Sequence, residues 1–187
     1  MTTETNSPDV KWEGHDLVVQ GPPGAIKEKF YQLLRERVSI VDDREFKLMF
    51  PDLHIAAIKS RIVIVEGNSK KRIKGIGIYV NKDDFVFGDD DYSDLIDIVV
   101  THEIAELWYF SKTGYSLSPA PEALAEDRLN IAHELALRDE YRVAFELGKA
   151  ERLLEFMERH HREKHPSESS LEENRRTYNL VKKRWEN

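Results

Sequence analysis

The sequence predicts an α+β fold, a small antiparallel or mixed sheet followed by a helical half. Two observations carry this. Short β-branched runs crowd the first half, at 61–66, 74–80 and 84–87, with turn-forming residues between them. From Ser93 onward the apolar residues recur instead at helical spacing. Strands first and helices after is the order of a layered α+β domain.

Residues 1–9 are small and polar and end in Ser7-Pro8-Asp9, the composition of a disordered terminus. Asp16-Leu-Val-Val-Gln20 reads as a strand. Gly21-Pro-Pro-Gly24 breaks it, and Pro23 suits a helix start. The same four residues lack the Gly-Lys-Ser/Thr ending of a phosphate loop. Ala25 to Val38 then places Ile26, Phe30, Leu33 and Leu34 on one helical stripe. Residues 43–50 form a short helix before Pro51. Arg61-Ile-Val-Ile-Val-Glu66, Lys74-Gly-Ile-Gly-Ile-Tyr-Val80 and Asp84-Phe-Val-Phe87 read as strands. The polar stretch from Gly67 to Arg72 connects the first two, and a hairpin turn at Asn81-Lys82-Asp83 joins the last two. Ser93 is the expected N-cap of the next helix, behind Asp89-Asp90-Asp91, whose negative charge suits a helix N-terminus. That helix runs to about Lys112, with Gly114 as its stop. Pro119 and Pro121 open a second helix that runs to about Leu147, before Gly148. Residues 149–165 and 170–185 are two more helices. The organisation expected is a disordered tail at 1–9, an α+β domain at 10–150 and charged C-terminal helices at 151–187.

Composition removes several function classes. The chain carries a net charge of −7, a poor match to nucleic acid or anionic membrane, both of which reward a basic face. It has no cysteine, which excludes disulfides, thiolate-ligated zinc and a thiol nucleophile. No apolar run approaches the roughly 20 residues of a membrane span. The N-terminus lacks a basic region followed by an apolar one, so the expected location is cytoplasmic.

The informative stretch is 101–110, THEIAELWYF, which follows Ile96-Asp-Ile-Val-Val100. Wound as a helix, it is apolar nearly all round, which marks a buried helix. His102 and Glu106 then lie one turn apart on one buried side. A buried glutamate is costly unless it is paired, hydrogen-bonded or bound to a cation. Side chains four residues apart on a helix can also bind one metal together. Glu103 points about a quarter-turn away, beside such a metal and not on it. Thirty-odd residues on, His133 sits in Asn130-Ile-Ala-His133-Glu-Leu-Ala-Leu137, again on an apolar helical face, with Glu126 and Glu140 near that face.

His102-Glu103-Ile-Ala-Glu106 resembles the active-site helix of the zincin metallopeptidases, whose signature is His-Glu-x-x-His. In this chain Glu106 stands where the family has its second histidine. The resemblance spans about 75–140 and implies a zincin-like fold with one zinc ion. It implies His102, Glu106 and His133 as ligands, with Glu126, Asp127 or Glu134 as substitutes for the third. It also implies Glu103 as the general base that activates water for peptide hydrolysis, since zinc lowers the pKa of its water to about 7. Tyr109 or Tyr141 is placed to help hold an oxyanion, and nothing in the sequence selects between them. The partner expected is a peptide or protein substrate.

The competing expectation is a non-catalytic helical interaction protein. In it His102, Glu106 and His133 make a buried polar network or a structural metal site, and the C-terminal helices contact a partner or a second copy. His160, His161 and His165 read as a solvated helix end, and Lys70-Lys71-Arg72 as an exposed loop. Asp89-Asp90-Asp91 lacks the spaced oxygen ligands of a calcium loop.

Overall fold

The computed structural model describes residues 8–64, 70–113, 122–164 and 168–187. The architecture is α+β, with a mixed sheet in the first half and helices in the second. Strands β1 (Asp9–Glu13) and β2 (Asp16–Gln20) form a hairpin. Helix α1 (Pro23–Arg35) starts at the expected proline and leads to β3 (Val38–Val41). Helix α2 (Asp43–Met49) follows, then β4 (Ala56–Ile64) and the long central β5 (Lys70–Asn81). One side of β5 pairs antiparallel with β2 along its first half and parallel with β3 along its last. The other side pairs antiparallel with β4.

A bulge in β5 organises the core. The β4–β5 register passes from Lys59↔Gly77 to Arg61↔Lys74, so β5 contributes one residue more than β4. Gly75 takes the left-handed conformation there, with φ 61°. That conformation costs glycine little and side-chain-bearing residues more. The extra residue switches the facing parity of the strand. Ile73 before the bulge and Ile76, Ile78 and Val80 after it therefore all enter the same core. Ile26, Phe30 and Leu34 of α1 cover that face of the sheet. On the other face Phe46 of α2 packs with Val41 and Ala57, and Tyr79 lies against them.

Several sequence expectations change here. The helix expected over 25–38 stops at Arg35, because Val38-Ser-Ile-Val41 is β-branched and finds an edge of β5 to pair with. Asp9–Glu13 is a strand, and the strand expected at 61–66 begins at Ala56. Lys70-Lys71-Arg72 is not a loop but the start of β5. There Arg72 donates to Glu13 at 2.6 Å and Asp16 at 3.2 Å. The hairpin expected at 81–83 does not form. Residues Lys82–Phe85 make one turn of 3-10 helix, and Asp84 turns inward to accept the backbone N–H of Ile55 at 2.9 Å. Only β6 (Val86–Phe87) remains extended, paired with β7 (Asp90–Asp91).

The helical half begins with a 3-10 turn at Ser93–Leu95 that runs into α3 (Ile96–Thr113). The capping group is the carboxylate of Asp91, which accepts the Ser93 N–H at 2.8 Å; Ser93 itself does not cap. Helix α4 (Glu122–Glu146) ends at Gly148, which has φ 66°. The N–H groups of Gly148 and Lys149 return to the carbonyls of Phe145 and Ala144, the Schellman closure. Helices α5 (Ala150–Glu163) and α6 (Glu168–Trp185) pack back, and Leu153, Phe156 and Tyr178 join the core that contains Ile73 and Trp108. His160 is buried beside Phe87 and Phe156, not solvated as its charged surroundings suggest; His165 lies outside the described residues. No described helix is long and apolar enough to cross a membrane.

Candidate metal centre

Helix α3 is buried on nearly every side, through Ile98, Val99, Val100, Ile104, Ala105, Leu107 and Trp108. Its main neighbour is α4, which meets it with Ala132 and Ala136, both buried. Short side chains let two helices approach closely, so polar tips on one reach the other. His102 and Glu106 project from α3 into this seam. His133 and Glu140, two turns apart on α4, project toward them.

The three residues expected to hold a metal stand together. His102, Glu106 and His133 each offer a ligand atom, all within 4.8 Å of one another. His102 Nε2 lies 3.1 Å from His133 Nδ1 and 3.6 Å from Glu106 Oε2. His133 Nδ1 lies 3.9 Å from the same glutamate oxygen. Ligands at about 2.0–2.1 Å from a tetrahedral ion stand roughly 3.3 Å apart, so these spacings suit a shared cation. Two imidazoles and one carboxylate are a donor set that zinc and other divalent first-row ions accept.

The outer contacts fit the same use. His102 Nδ1 donates to Glu140 Oε2 at 3.0 Å, and this fixes the tautomer that leaves Nε2 turned to the centre. Glu140 is 1% exposed, and its Oε1 has no hydrogen-bond partner among the described residues. A buried carboxylate in that state calls for positive charge nearby.

The protonation pattern follows from crowding. Burial opposes charge on His102, but Glu140 and Glu106 outweigh it and hold the imidazole pKa well above its ordinary value. Burial also opposes charge on Glu106, yet the adjacent imidazoles of His102 and His133 bring its pKa down to about 2. Glu103 is half-buried, with no such donor among the described residues, and burial pushes its pKa up to about 7.

The remaining candidates are elsewhere. Glu134 is bonded to Arg138 at 2.6 Å. The side chains of Glu126 and Asp127 lie outside the described residues. Tyr109 donates its hydroxyl to Asp139 at 3.1 Å, and Tyr141 donates to Asn174 at 3.2 Å. Asp139 also takes Lys27 at 3.0 Å and the hydroxyl of Tyr31 at 3.4 Å.

Sequence reasoning placed Glu140 near the right face of α4 without giving it a role. Its signal was the seven-residue spacing from His133, two helical turns. Glu173 of α6 was missed. Its Oε2 stands 4.0 Å from His133 Nε2, and no local pattern distinguishes it from other surface glutamates. No family model, curated protein or solved structure matches this chain.

Proposed function

We propose that this protein is a zinc-dependent hydrolase, with a peptide bond as its target, whose metal is held by His102, Glu106 and His133. The observation that carries the reading is the convergence of those three ligand atoms in the seam between α3 and α4, His102 buried and Glu106 and His133 half-buried, with the far nitrogen of His102 capped by Glu140. A bound zinc ion would supply Lewis-acid polarisation of a carbonyl and a water acidified toward neutrality. Glu103, one residue beyond the first ligand, would accept a proton from a water as its oxygen adds to the carbonyl carbon, and would return that proton to the amine nitrogen as the C–N bond breaks. Its raised pKa, about 7, suits a group that must both accept and release a proton near neutrality. The free side of edge strand β4, which pairs only with β5 among the described strands, suits an extended peptide that adds a strand.

A second reading is a non-catalytic interaction protein with a structural polar network. The 3.0 Å bond between His102 and Glu140 favours it, because a charged imidazole between two carboxylates is neutralised without any metal.

Metal analysis by mass spectrometry on untagged protein separates the two, beside His102→Ala and His133→Ala. About one zinc per chain, lost in both variants, is expected. Glu103→Gln should then keep the zinc and the melting temperature while losing at least ~100-fold in cleavage of a fluorogenic peptide library. A native chain that stays metal-free after zinc addition and removal of excess would overturn the hydrolase reading.

A further inference from the structure

Each imidazole of the centre has a second nitrogen, and a carboxylate from another element stands behind each. Behind His102 it is Glu140, at 3.0 Å from Nδ1. Behind His133 it is Glu173, at 4.0 Å from Nε2. The two rings are used in opposite senses, since His102 faces Glu106 with Nε2 and His133 faces it with Nδ1. We infer that His133 binds metal through Nδ1, and that Glu173 of α6 is the positioning residue that selects this nitrogen.

The inference rests on the metal reading above. Its physical basis is the choice that a neutral imidazole makes. One ring nitrogen carries the proton, and only the other can bind a metal. A carboxylate beside one nitrogen draws the proton there and orients the ring. Glu140 does this from inside the α3–α4 seam. Glu173 does it from α6, which packs on α4 through Tyr178 against Tyr141 and Phe145. At 4.0 Å it is beyond a direct hydrogen bond, so a rotation of its side chain or one bridging water completes the contact. Its side chain is 30% exposed and that of His133 is 45% exposed, so solvent can reach the gap. The C-terminal helix thereby becomes part of the centre, although no residue of α6 belongs to the three ligands.

The test compares Glu173→Gln, Glu173→Asp and His102→Ala in the full chain. Zinc affinity is measured by competition with a chelator, and long-range proton–nitrogen NMR on the histidine-labelled, zinc-loaded protein reports which ring nitrogen binds. The expected result is Nε2 ligation at one histidine and Nδ1 ligation at another, the latter resonance vanishing in His133→Ala. Glu173→Gln should weaken zinc about tenfold, the lower end for such outer contacts, with the metal-free melting temperature unchanged. Glu173→Asp should recover part of the loss. Nε2 ligation by His133, or an unchanged zinc affinity in Glu173→Gln, overturns the inference and leaves the metal centre standing. Failure of the native chain to bind zinc, or loss-free binding by His102→Ala, overturns the centre itself.

Discussion

His102 and His160 are both buried and both stand beside an acid, yet the two acids are satisfied differently. Asp84, beside His160, accepts the Ile55 N–H at 2.9 Å, the Asn81 amide at 3.0 Å and Lys164 at 3.1 Å. His160 itself lies 3.8 Å away. Glu140, beside His102, accepts one hydrogen bond and has a bare second oxygen among the described residues. Around Asp84 the donors come from a backbone amide, a side-chain amide and an ammonium. Around His102 the neighbours are imidazoles and carboxylates, and no described lysine, arginine or backbone N–H donates to Glu106 or Glu140. The first cluster is closed and structural. The second keeps a buried carboxylate oxygen without a donor among the described residues, and that is what distinguishes a candidate metal site from a core ion pair.

The largest expected effect tests the closed cluster. Asp84→Ala removes the buried acceptor shared by the Ile55 N–H, the Asn81 amide and Lys164, and should cost about 3–5 kcal/mol in chemical denaturation, with zinc content per folded chain unaltered. Next comes the open cluster. Zinc at about a hundred times its dissociation constant should stabilise the native chain by about 2.7 kcal/mol, and His102→Ala should abolish that gain.

The pH dependences should have opposite signs. Burial opposes charge on Asp84, but the nearby His160 ring and the donors Ile55 N–H and Lys164 prevail and its pKa is depressed. Its contribution is present above the unfolded value near pH 4 and disappears as pH falls through the folded pKa, so the penalty of Asp84→Asn should shrink in acid. His102 has a raised pKa, so the folded state holds the extra proton. Its contribution is full below about pH 6.5 and is lost as pH rises through the folded value. Metal-free protein should therefore lose stability on the alkaline side. Zinc-loaded protein should not show this slope, because the metal takes the proton's place. A flat alkaline limb in the metal-free chain would contradict this account. The smallest effect belongs to exposed charge. Lys29 and Asp9 pair at 2.8 Å with side chains 53% and 42% exposed, and Lys29→Ala should cost under about 1 kcal/mol in the same denaturation assay.

The sequence carried the fold class through two periodicities, and both survive in the structure. Helix α3 was legible because its residues are apolar in every direction, and α1 because Ile26, Phe30 and Leu34 repeat on one stripe. The strands were harder. β1 and β3 are short, and each is extended because a partner lies alongside, which no local pattern encodes. Asp84-Phe-Val-Phe87 looks like a strand, but its aspartate is needed inside. His102, Glu106 and His133 were legible as polar residues on apolar faces. The contribution of Glu140 was half-visible from its spacing, and Glu173 was not visible at all. Its position depends on how α6 folds back over α4, a long-range outcome of packing.

The bulge at Gly75 gives β5 two phases, one for the β2 side and one for the β3 side. Deleting a single residue there would act on the sheet as a frameshift acts on a reading frame. Either Ile73 or the set Ile76, Ile78 and Val80 would be turned out of the core, with every downstream neighbour still chemically intact. Conservative substitutions along β5 are thus a milder class of change than the loss of one glycine.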